Sequence, residues 1–431
     1  MPAPTSSALP GPLPRFSTPL SAAAPLVAIA AALSSACSSG DAGPSVAVTV
    51  RDSAGVTIVE NAGEPSLEGG GWSVGAEPVL SIGTFQGDTL QQLYRVQGAA
   101  RLSDGRIVVA NAGSGEIRVY GPDGAFGGSH GGRGRGPGEF QFPALAGVLG
   151  GDTLVVTDYQ LRRISLIHAA DGHLRSSAVD EEAGGALFPH GILDNRTVVV
   201  GGGFYFSSDD DTQLSNGYVR PPTSYLALEL DGSLARDFGE LPGSEFFMNV
   251  SQSGGGTMMF ARLIPFGKSP REAVSRDRFF YGSGDTWEVR AFDSRGDLVR
   301  IIRRDREPRP VTAEDLDAHL QERLDEAEDE DARASVRRSH AEMPTPELMP
   351  AFGSLVADTE GHLWVERFRG PGEGGSPRYD VFDGEGRLVA SVEMPVDMEI
   401  LEIGGNYLLG LYRDELEVEY VRMYPLTRPG I

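Results

Sequence analysis

The chain has 431 residues, 40% of them hydrophobic and 23% charged, so it carries enough apolar material for a globular core. Its 37 Lys and Arg against 61 Asp and Glu leave a formal charge of −24, which repels a phosphate backbone and argues against a nucleic-acid partner. The single cysteine rules out intrachain disulfides and Cys-cluster metal sites, while 57 Gly and 29 Pro point to many tight turns between short strands.

The chain opens with a short n-region holding only Arg15, followed by the apolar run LSAAAPLVAIAAAL over 20–33. As a helix this run would reach roughly 21 Å, short of a hydrocarbon core of roughly 30 Å. Pro25 also interrupts it, so a secretory h-region fits better than a membrane span. The next residues, Leu33-Ser34-Ser35-Ala36-Cys37, resemble a bacterial lipobox. This implies a lipoprotein-type signal peptide over 1–36, lipidation of Cys37 and membrane attachment through the N-terminal lipid, which two or more acyl chains make effectively permanent. Ser38 and Ser39 supply no acidic inner-membrane retention signal, so the expected address is the outer membrane, on its periplasmic or surface side. A polar tether occupies 37–45, and VAVTVRDSAGVTIVE predicts a hairpin within an extension over 46–77.

From there a phrase recurs: a D-G-like turn, a β-rich strand, a gap, a second strand and another D-G-like turn. Its clear copies begin at Ser103 and Gly150, where Ile107 and Leu154 are equivalent and 154 − 107 = 47 positions apart, near the period of a four-stranded propeller blade. A third copy starts at Asp194 and resumes at Tyr225 after an insertion; others start at Asp277, Thr359 and Gly404. A unit of this kind cannot bury its own faces, so the six must close into one body over 78–431. PVLSIGTF, 78–85, reads as an outer strand without a blade of its own, suited to complete the last blade and remove the open edge.

Between the first two copies lies GGRGRGPGEFQFP, 131–143, whose glycines suit a crossing from the outside of one blade to the centre of the next. It reads as a joint: it is too short, and the chain too acidic, for an Arg-Gly RNA-binding tract. FGKSP, 266–270, lacks the upstream glycine of a phosphate loop, because position 262 is Arg262. Asp209, Asp210 and Asp211 read as a solvated acidic loop, without the alternating spacing of an EF-hand. Thr312 and Asp315 stand in capping-box positions ahead of Leu316, Leu320 and Leu324, which predicts an amphipathic helical insertion over 312–340 between the fourth and fifth units.

The phrase G-x-G-P-G-x-F-x-x-P, followed by a strand ending in Val-x-Asp and then an Arg-Ile pair, resembles the NHL-like six-bladed β-propeller family of bacterial extracytoplasmic proteins. The matching residues are Gly134, Gly136, Pro137, Gly138, Phe140, Pro143, Asp158, Arg163 and Ile164. The resemblance is sharp in the first two units and pattern-level elsewhere, and it implies a structural role for these residues. The expected fold is therefore all-β, a six-bladed β-propeller with the helical insertion between blades 4 and 5.

No nucleophile-base arrangement is legible by spacing, so the expected function is a non-catalytic scaffold in the envelope, with a protein or a small-molecule or glycan ligand and no cofactor. The alternative is a metal-dependent hydrolase or lyase of the lactonase-like propeller type, holding Ca²⁺ or Zn²⁺ at the central channel with His190 as a candidate ligand.

Overall fold

The computed structural model describes residues 46–65, 71–184, 188–194, 196–201, 216–253 and 256–428. The signal segment, Cys37, the tether and Asp209, Asp210 and Asp211 lie outside the described residues.

Among the described residues, six sheets built on antiparallel neighbours follow one another around a ring. Their innermost strands are Val96–Arg101, Pro143–Leu149, Phe188–Ile192, Arg271–Val274, Leu355–Ala357 and Glu399–Ile403, and each touches the next, the last returning to the first. Second strands such as Ile107–Asn111, Val198–Gly201 and Phe279–Gly282 are buried throughout, because both faces of each sheet meet a neighbouring sheet. Outer strands such as Phe126–Gly131 alternate between half-buried and exposed.

The core is six clusters, one at each junction. Val108 and Ile117 of the first sheet meet Leu154 and Ile167 of the second. Val155 and Ile164 meet Val198 and Leu228, and Val199 and Tyr225 meet Phe279 and Phe292. Val289 and Ile302 then meet Leu363 and Val365, Trp364 and Val381 meet Leu408 and Tyr424, and Leu409 and Leu411 close onto Ile107 and Val109. Each such aliphatic side chain contributes about 1.5–3 kcal/mol by burial. Sheets packed face to face around a closed circuit make a β-propeller.

The N-terminal region stitches this circuit. Leu80–Ile82 pairs antiparallel with Glu419–Thr427, setting Ile82 opposite Val421, and Ile82 is buried among Leu93, Tyr120 and Leu411. The hairpin Ala47–Ser53 and Val56–Ala62 turns through Ala54 and Gly55, both at positive φ, as a tight two-residue hairpin requires. Its second strand adds in parallel to Leu298–Arg304, the outer strand of the fourth sheet. Asn61 fixes that junction: its amide donates to the Arg303 and Gly386 carbonyls at 3.2 and 3.0 Å and its oxygen accepts from Leu388 N at 2.8 Å. Beside it, buried Arg304 and Asp380 pair at 3.3 Å, and Arg367 bridges Asp380 and Glu64 at 2.6 Å each.

The insertion after the fourth sheet is helical, as expected, and consists of two helices, α1 (Ala313–Asp325) and α2 (Glu330–Glu342). The capping box at Thr312 and Asp315 starts α1. Asp329 takes an extended backbone and accepts from Ala332 N at 2.8 Å, so it caps a second helix and interrupts the first. The acidic run around residues 325–331 also sits badly against the negative end of the α1 dipole.

Candidate functional site

In each sheet of the ring the turn between the first and second strands and, where the fourth strand follows in sequence, the turn between the third and fourth lie on one side. The link between second and third strands and the crossing to the next sheet lie on the other, since antiparallel strands alternate direction. On the first side the connections are tight, as at Asp104-Gly105, Asp123-Gly124 and Asp231-Gly232. Among the described residues the long insertions lie on the other: 216–221 ahead of the third strand of the third sheet, 243–270 between the third and fourth sheets, and 305–354 between the fourth and fifth.

The first two insertions join into a small sheet of their own, with Gly217–Val219 pairing to Phe246–Ser253 and that strand to Gly256–Leu263. The repeat pattern in the sequence did not reveal it. It has no counterpart in the other units, and its partners are separated by the third sheet's remaining strands. Tyr218, Met258, Phe260 and Leu263 of this sheet are 53%, 51%, 51% and 59% exposed. Arg262 donates to Ser339 Oγ of α2, and a groove of about 700 Å³ separates this strand from the helices, lined by Leu263, His319, Leu320, Val336 and Met343 among others. Burial pushes the His319 imidazole below the usual histidine range, with the Arg323 and His340 charges acting the same way.

Near its base lies a polar group that sequence spacing could not assemble. Arg220 makes a bidentate pair with Asp285 at 2.8 and 2.9 Å, and its Nε donates to Gly243 O at 2.9 Å. Glu245 accepts from Tyr218 Oη at 3.0 Å and from the Lys268 backbone at 2.7 Å. Lys268 is buried, and its ammonium donates to Leu348 O.

The family-motif residues form the joint between the first two sheets. Asp158, buried at the end of its strand, accepts from Gln141 N and Phe142 N at 2.8 and 3.1 Å and from Gln160 N and Leu161 N at 3.1 and 3.0 Å. Arg163 donates to Gly136 O at 3.0 Å and lies over the Phe140 ring at 5.7 Å. Gly134 N bonds Phe140 O at 3.1 Å, Pro137 lies in the turn, and Pro143 opens the next inner strand opposite Asp158. Phe140 and Ile164 are core residues. Two glycines here are irreplaceable by shape. Gly131 has φ +98 and a Cβ would stand 2.7 Å from the Phe140 ring; Gly138 has φ +78 and a Cβ would stand 3.1 Å from His173. Asn111 and Glu366 hold corresponding amides in the first and fifth sheets, from Tyr94 N at 2.8 Å and Ser354 N at 3.0 Å.

His190 lies on the inner strand of the third sheet, 5.7 Å from the Tyr225 ring, bonded to the backbone of Gly201, with Nε2 buried and unpartnered. Burial pushes its imidazole below the usual histidine range, only partly opposed by Glu272. Tyr225 donates its hydroxyl to Glu272, and burial beside that carboxylate pushes the phenol well above the usual tyrosine range. Among the described residues no three His, Cys, Asp or Glu side chains converge in metal-holding geometry. His190 and Glu272 thus do not make up a ligand set there.

No family model matches the chain, and no curated protein does. Among solved structures it is similar to an exported-protein candidate from Bacteroides fragilis, at 11% identity, 86% of this chain and 100% of that one, with a TM-score of 0.48. It is also similar to a calcium-binding protein, regucalcin, from Agrobacterium tumefaciens (12% identity, 79% and 93% coverage, TM-score 0.36). A third is virginiamycin B lyase from Staphylococcus aureus (11%, 78% and 97%, 0.37). Likeness at this level assigns no residue a role.

Proposed function

We propose that the protein is an exported, lipid-anchored β-propeller of the NHL-like, six-bladed kind, tethered through Cys37 to the outer membrane, that acts as a binding scaffold for an envelope protein. The observation that carries this reading is the one-sided placement of the insertions. Three of them stand together on one side of the ring, and there the strand Gly256–Leu263 exposes Met258 and Phe260 on one face and Met259 and Leu263 on the other, Leu263 lining the α1–α2 groove. Adjacent apolar side chains of this size on a rigid support suit a protein partner better than a solvated ornament.

The test is a photo-crosslinking residue at Met259, with one at Asp123 on the opposite side as control. A discrete adduct from Met259 alone supports the reading; equal or absent adducts at both positions remove it. Cys37→Ser should release the protein from the membrane fraction, and unchanged retention would sink the lipid anchor.

A further inference from the structure

The polar group at the base of the insertions borders a cavity of about 300 Å³, at the small end of the roughly 300–1,000 Å³ of ligand pockets. Its lining draws on all three insertions and the turn of the fourth sheet: Tyr218, Glu245, Ile264, Lys268, and the connection carrying Pro344 and Pro346. Most charges around it are already spent. Arg220 and Asp285 satisfy each other in a bidentate pair, and both Glu245 oxygens accept bonds from Tyr218 and the Lys268 backbone.

The Lys268 ammonium is different. It has three donors, of which one goes to Leu348 O, and its carbon stem is buried with only 7% of the residue exposed. No carboxylate lies within salt-bridge distance of it among the described residues. A buried cation with donors left over, at the wall of a cavity that presents a phenol ring, two prolines and Ile264 as well as the carboxylates of Glu245, Asp285 and Glu347, calls for a counter-ion with an apolar body. Burial also pushes the Lys268 ammonium below the usual lysine range, against the pull of Glu245 and Asp285, and a bound anion would oppose that shift. The carboxylates of Glu245, Glu347 and the Arg220-paired Asp285 at the same cavity weigh against a dianion such as a phosphate monoester more than against a single negative charge.

We propose that this cavity binds a small organic monocarboxylate, its head on the Lys268 ammonium and its apolar body between the Tyr218 ring and Pro344 and Pro346. The site is independent of the protein-docking reading and stands whether or not the neighbouring groove takes a partner.

The experiment is isothermal titration of the intact purified protein with benzoate and with hexanoate, using benzamide as the neutral analogue. Saturable binding of a carboxylate is expected below about 10 mM, at least about tenfold tighter than benzamide. Lys268→Met should abolish it. Because that substitution also removes the bond to Leu348 and could disturb the fold, Thr345→Trp is the second variant: it fills the cavity from its exposed lining and leaves Lys268 in place, and it too should abolish binding. No saturable binding of either carboxylate, benzamide binding as tightly, or binding unchanged by Thr345→Trp would each overturn the proposal.

Discussion

Replacing Asp158 by alanine should cost more than any other single change at the joint between the first two sheets. Four backbone amides converge on its carboxylate, two from the incoming connection (Gln141, Phe142) and two from the following turn (Gln160, Leu161). Hydrogen bonds to a charged group are worth about 1.5–3 kcal/mol each. Their sum overstates the loss, since Gln141 and Phe142 are half-buried and water can reach some of the freed amides. The expected loss is about 3–5 kcal/mol, among the larger single-residue effects. Asp158→Asn, which keeps one acceptor oxygen and points an NH₂ at two amides, should fall near half of that. The comparison is Asp123→Ala, an exposed turn carboxylate that accepts from Ala125 N alone, expected to lose no more than about 0.5–1 kcal/mol. Urea unfolding followed by circular dichroism gives the global loss, and amide exchange across residues 132–142 and 159–162 gives the local one. If Asp158→Ala unfolds at the same urea concentration as Asp123→Ala and exchange over these segments is unchanged, the carboxylate is not what pins the joint.

Asp380→Ala should be comparably severe, at about 3–5 kcal/mol, because it removes the one fully buried carboxylate of the group and leaves Arg304 and Arg367 to share the half-exposed Glu64. Glu64→Ala, with its carboxylate half-exposed, should cost under about 1 kcal/mol by the same unfolding measurement, and equal losses would contradict the assignment. Glu402 gives a pH signature. Burial pushes its carboxyl above the usual glutamate range even though Tyr407, the Arg101 amide and the Arg101 charge pull it down. The folded state therefore binds this proton more tightly than the unfolded chain, so Glu402 contributes a stability that is present below the unfolded value near 4.3 and lost as pH rises through the folded one. Glu402→Gln keeps an oxygen for the Tyr407 hydroxyl and Arg101 N, and should flatten that part of the curve when unfolding midpoints are compared from about pH 4 to about pH 8.

What the sequence discloses follows how local the determining interactions are. The D-G turns, the buried second strands and the Thr312–Asp315 cap are each settled within a few residues, so a single chain suffices to read them. The break in the helical insertion was equally local, but Asp329 sits inside an acidic run where a cap looks like one more solvated charge. The hairpin over 46–62 was legible as a hairpin, while its parallel docking onto Leu298–Arg304 was not. Its alternation suits any exposed edge, and the residues that choose this one, Asn61 and Glu64, act on groups some 240 to 330 positions away. The small sheet on the insertions and the Arg220, Glu245, Lys268 and Asp285 group were invisible for the same reason: no repeat, spacing or periodicity relates residues that two separate insertions and a link of the fourth sheet bring together.

The topology itself explains why the long insertions gather on one side. On the turn side every connection joins neighbouring strands of one sheet, and lengthening it brings nothing closer to the ring. On the other side each crossing must already travel from the outer edge of one sheet to the inner edge of the next, so it cannot be tight. Extra residues there add little closure entropy, about 0.6 kcal/mol per doubling of length. The third, fourth and fifth sheets are consecutive, and insertions at their crossings and at the link between the second and third strands of the third sheet therefore meet, pair and enclose space that no single sheet provides. A ring whose junctions are each closed by an apolar cluster gives such insertions a rigid base. Binding should accordingly respond to changes at Thr345, Tyr218 or Met259 with little loss of stability, and stability to changes at Asp158 or Asp380 whatever is bound.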